Sequence, residues 1–69
     1  MRDDRLIDHA GTLLRASPTP LTAGEIAAAL GERAAVLSAI LGRAARRGEI
    51  RLVEPGRPHH AARYAALDP

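Results

Sequence analysis

With 69 residues, 46% of them hydrophobic but with one Tyr and no Phe or Trp, the chain has room for one domain with a thin core. It has no Cys, which excludes a disulfide framework and a thiolate metal site. It also lacks a run of about 18 apolar residues or a signal-peptide core, which excludes a spanning helix and leaves the cytoplasm as the expected compartment. The net charge of +2 is uneven, at −2 over residues 1–32 and +4 over residues 33–69, so the second half carries the positive face that suits an anionic partner.

In chain order, residues 3–16 predict a first helix. Asp3 and Asp4 suit a helix N-terminus, and Leu6, Ile7, Ala10, Leu13 and Leu14 recur at helical spacing. Gly11 is a weak point that lets another helix come close, and His9 falls off the apolar stripe, at the surface. Ser17-Pro18-Thr19-Pro20 ends this helix, because each proline biases its predecessor away from the α region. A short extended piece reaches Leu21. Thr22-Ala23-Gly24-Glu25 then matches a capping box, with Leu21 and Ile26 as its hydrophobic staple, so a second helix is predicted over 23–30. Ile26, Ala27 and Leu30 face inward, and Gly31 stops the helix.

Only Gly31 and Glu32 separate that stop from a third helix over 33–47. Val36, Leu37, Ile40, Leu41 and Ala44 form its apolar stripe, and Ala35, Ser38, Ala39, Gly42 and Arg46 form the opposite face. Two helices joined by so short a glycine turn form a helix-turn-helix unit. Gly48 ends the third helix. Residues 49–53 alternate as a strand with Ile50 and Leu52 inward, 54–60 form a Pro/Gly loop, and 61–67 return as the partner strand anchored by Tyr64. The whole of residues 1–69 reads as a single α+β domain, three helices followed by a two-stranded β-hairpin.

Leu30 to Ile50, LGERAAVLSAILGRAARRGEI, carries a resemblance. Leu30-Gly31, Leu37, Arg46-Arg47 with Gly48, and Ile50 resemble the marR-type signature of bacterial winged helix-turn-helix regulators. In that signature Leu-Gly ends the second helix, and a basic pair before Gly leads into the wing. The resemblance spans almost the whole chain. It implies a small winged helix-turn-helix that binds double-stranded DNA as a bacterial or phage transcriptional regulator, with helix three in the major groove and the hairpin as a basic wing. Arg33, Ala34, Ala35, Ser38 and Ala39 are then the outward residues at the start of the recognition helix. Alanine methyls and one hydroxyl are poor at bonding base edges, so weakly specific or shape-led binding is expected.

The basic residues support that reading. Arg51, Arg57, His59, His60 and Arg63 lie on or beside the hairpin, and Arg43, Arg46 and Arg47 lie at the adjoining helix end, all suited to phosphate contacts. Arg57, between Gly56 and Pro58, is placed to enter a minor groove. The histidines, taken as neighbours on a strand, point to opposite faces and chelate one ion poorly even with His9 or Asp68 as a third ligand; no metal or other cofactor is expected. The chain has no Gly-rich phosphate loop and no Ser/His/Asp set, so no enzyme is expected. A homodimer is expected to use helix one or the open edge near the last strand, with Leu67. The rival reading is a protein-interaction module that docks a partner on the alanine-rich face of helix three.

Overall fold

A computed structural model describes residues 2–67, with side chains from residue 4 onward. Three helices, α1 (Arg2–Ala16), α2 (Ala23–Leu30) and α3 (Ala34–Arg46), and three short strands, β1 (Leu21–Thr22), β2 (Arg51–Glu54) and β3 (Arg63–Ala65), make a small α+β fold. The three predicted helices are present, with ends within one residue of those expected. Asp68 lies outside the described residues.

The start of α2 follows from its sequence. Thr22 is extended, its Oγ1 accepts from the Glu25 amide at 3.1 Å, and Glu25 Oε1 accepts from the Thr22 amide at 2.8 Å. Two amides that a helix N-terminus leaves without partners are thereby satisfied. Just upstream, Ser17 Oγ donates to the Thr19 carbonyl at 2.6 Å, which holds the Pro18–Pro20 corner between the helices. The stops of α2 and α3 share one device. Gly31 and Gly48 take left-handed φ of 71° and 77°, and the next amide reaches back five residues in each case, Glu32 to Ala27 O and Glu49 to Ala44 O, both at 2.9 Å. A side chain at either glycine would strain the backbone.

The core forms where the helical stripes meet the inner face of the sheet. Ile26, Leu37 and Leu41 are wholly buried, and Ala10, Leu14, Ala27, Ala44, Ile50 and Tyr64 close around them. With so few large side chains, alanines bring the backbones close enough to pack, α3 chiefly against α2 and then α1. His9 is exposed, as expected. Gly11 does not receive another helix; a Cβ there would meet only Arg15 Nη1 of the same helix, at 3.5 Å.

The sheet differs from the expected two-stranded hairpin. It has three antiparallel strands in the order β1-β3-β2, with Leu21 and Leu52 both opposite Tyr64. The two residues of β1 are too few to alternate, so periodicity could not reveal them. Because β3 is central, the last strand has no open edge for a second copy; the open edges belong to β1 and β2. A bulge between Leu52 and Glu54 kinks β2, a feature that discourages further strand addition. Leu52 faces inward as expected but is not buried. It shares the register of buried Tyr64 but is 45% exposed, because the edge strand has no neighbour there and Gly42 of α3 offers no side chain opposite.

Candidate nucleic-acid interface

Arg33, Ala34, Ala35, Ser38, Ala39, Arg43, Arg46, Arg47, Arg51, Arg57, His59, His60 and Arg63 are all exposed to solvent. The first group begins at Arg33, which is extended (φ −79°, ψ 140°) and gives α3 no side-chain cap. A guanidinium has no acceptor to offer, so the Val36 amide bonds the Arg33 carbonyl at 3.1 Å, and the Ala34 and Ala35 amides have no protein partner among the described residues. Ala34, Ala35, Ser38 and Ala39 follow as a smooth face with one hydroxyl.

Four of the basic side chains are engaged within the chain. Arg47 Nη1 lies 3.4 Å from Glu49 Oε1. Arg63 sits between two carboxylates, with Nη1 3.6 Å from Glu25 Oε1 and Nε 4.0 Å from Glu54 Oε2. This placement follows from topology: Arg63 pairs with Thr22 in the β1–β3 register, so it arrives beside the capping box. The Glu25 carboxyl is held below its ordinary value of 4.5, first by the Thr22 amide, then by the Thr22 hydroxyl, with Arg63 adding a smaller pull. Arg43 and Arg51 also have partners. Arg33, Arg46 and Arg57 have no acidic partner among the described residues.

The loop between β2 and β3 is more ordered than its composition suggests. Arg57 and His60 exchange backbone hydrogen bonds, His60 N to Arg57 O at 2.9 Å and Arg57 N to His60 O at 2.8 Å, around Pro58 and His59. Pro58 pre-sets its φ, and His59 takes a left-handed φ of 69°, the combination of a type II turn. The histidines therefore occupy a tight turn and not the regular strand that placed them on opposite faces. Among the described residues no group of three or more His, Asp or Glu is placed to hold a metal ion.

One cleft of about 320 Å³ joins helix to hairpin, with Gly42, Ala45 and Arg46 on α3 bordering Leu52, Pro55 and Gly56. Arg46 lies back along the helix, its Nη1 3.7 Å from where a Gly42 Cβ would be. Gly56 precedes Arg57, so the outer face of α3 and the start of the turn loop are neighbours. Arg51 is elsewhere, in a separate depression with Leu14, Arg15, Ser17 and Leu67. The structure thus unites Arg46 with the loop that bears Arg57 and sets Arg51 and Arg63 apart. The sequence reading missed the cleft, whose signal was the absence of a side chain at Gly42, and the tie of Arg63 to Glu25, which needs the β1–β3 register.

No family model, curated protein or solved structure matches the chain.

Proposed function

We propose that this protein is a small winged-helix regulator that binds double-stranded DNA, with α3 in the major groove and the β2–β3 loop as a wing on the adjacent backbone or minor groove. The observation that carries the reading is the trio Arg33, Arg46 and Arg57, exposed and without acidic partners among the described residues, along α3 and the hairpin that borders it. Guanidinium groups left unneutralised on a solvent face suit phosphates, which take two parallel hydrogen bonds from each. The uncapped start of α3 adds the Ala34 and Ala35 amides to the same anion preference.

The face between these charges limits what such a protein reads. Ala34, Ala35 and Ala39 offer methyl groups, which can touch only thymine methyls in the major groove, and Ser38 offers one hydroxyl. Affinity therefore comes mainly from phosphates, with Arg57 at the turn preferring the narrow minor groove of A·T tracts. Arg47 and Arg63 contribute less, because nearby carboxylates offset part of their charge.

The test is titration of a labelled duplex of random sequence. Three phosphates neutralised give a log–log slope of about −2.7, so raising salt from about 50 to about 200 mM weakens binding about 40-fold. No binding at the lower salt, or binding indifferent to salt, refutes the proposal.

A further inference from the structure

We infer that the cleft between α3 and the hairpin is a docking site for a protein partner, an acidic amphipathic helix that seats one apolar side chain between Gly42 and Leu52. This goes beyond DNA binding and stands or falls separately from it. The cleft has the wrong chemistry for a duplex alone. Its walls at Gly42, Ala45, Leu52 and Pro55 are apolar, and a phosphate pressed into them loses water without gaining a hydrogen bond. At about 320 Å³ it is the size of a small pocket, open to an aliphatic side chain from outside.

The charge around the cleft identifies the occupant. Arg46 lines it and Arg57 follows directly on Gly56 at its border, and neither has an acidic partner among the described residues. An apolar anchor flanked by carboxylates matches both features at once, the anchor leaving water in the cleft and the carboxylates meeting the guanidinium groups. Leu52 gives the energetic reason: a leucine 45% exposed on the inner side of an edge strand loses further water when a second side chain covers it. The smooth run from Ala35 through Ala39 to Gly42 lets a helix lie close against α3, in the manner of helix-in-groove recognition. Arg46 is the one cleft-lining side chain that this partner shares with the proposed phosphate contacts.

The experiment uses a fluorescein-labelled synthetic helix of Glu, Ala and Leu with its leucines on one face, followed by anisotropy against the full chain. An isomer of identical composition with the leucines dispersed around the helix serves as comparison. Gly42→Leu fills the cleft; the new Cβ meets Arg46 at an ordinary 3.7 Å, and Leu favours a helix more than Gly. Leu52→Glu, at an exposed position, places an acid in the cleft instead. The expected result is binding of the one-faced helix, with each variant weakening it roughly tenfold or more while far-UV circular dichroism stays unchanged. Failure of the native chain to bind, equal binding of the dispersed isomer, or equal binding by both folded variants overturns the inference. Duplex titration of the same native sample reports on DNA independently.

Discussion

The Thr22 cap gives the sharpest test of how this chain holds its fold. Thr22→Ala removes one acceptor, Oγ1, from the Glu25 amide at 3.1 Å and leaves the backbone pairing of β1 with β3 in place. Loss of an N-cap hydroxyl costs about 1 kcal/mol, with a range of about 0.5–2. For a domain of this size each 1 kcal/mol lowers the melting temperature by about 4–8 °C. The Arg63–Glu25 pair beside the cap is a weaker contributor, since both side chains are about half exposed and the closest approach is 3.6 Å. Thermal unfolding followed by far-UV circular dichroism should therefore show a drop of several degrees for Thr22→Ala and a smaller one for Arg63→Ala. A drop below about 2 °C for Thr22→Ala, or the reverse ranking, refutes the assignment of the cap as the main support of this corner.

Three further expectations follow from single positions. Gly11→Ala should raise stability by about 0.5–1 kcal/mol, because only the tip of Arg15 lies near the added methyl; a loss in urea unfolding contradicts this. At His59, with its left-handed φ of 69°, Val should lower the melting temperature and Gly should not, since a branched side chain is the least compatible with that conformation; tolerance of Val argues against the turn. The lowered Glu25 pKa sets a pH dependence of definite sign: the carboxylate stabilises the fold above its ordinary value of 4.5, and that contribution disappears as pH falls through the lower folded value. The stability gap between the native chain and Glu25→Gln, measured in urea from neutral pH downward, should thus shrink on acidification below pH 4.5, and a gap that widens rejects the hydrogen-bonding scheme.

The helices were legible because their signals are local. Thr22 with Glu25, Gly31, Gly48 and the apolar stripes each state their role within four or five residues, and the structure places them accordingly. The sheet was legible only in part. β1 is two residues long and owes its existence to Tyr64 and Arg63, more than forty positions away, so no local pattern marks it. The same distance hid the engagement of Arg63, which in sequence is one more arginine near a loop. Leu52 shows the converse: its alternation is correct, but burial depends on what stands opposite, and there the helix offers Gly42. Among the candidate site residues, exposure was foreseeable from the helical face, whereas their partial neutralisation by Glu25, Glu49 and Glu54 depended on three-dimensional neighbours.

The central claim, that the free arginines of α3 and the hairpin form a phosphate-binding face, is tested most directly by the salt dependence of duplex binding in two multiple variants. Replacing Arg33, Arg46 and Arg57 by Ala should flatten the log–log slope by about 2.7 and abolish binding near 200 mM salt. Replacing Arg47 and Arg63, which already face carboxylates, should change the slope much less. An unchanged slope in the first variant, or an equal loss in both, contradicts the account.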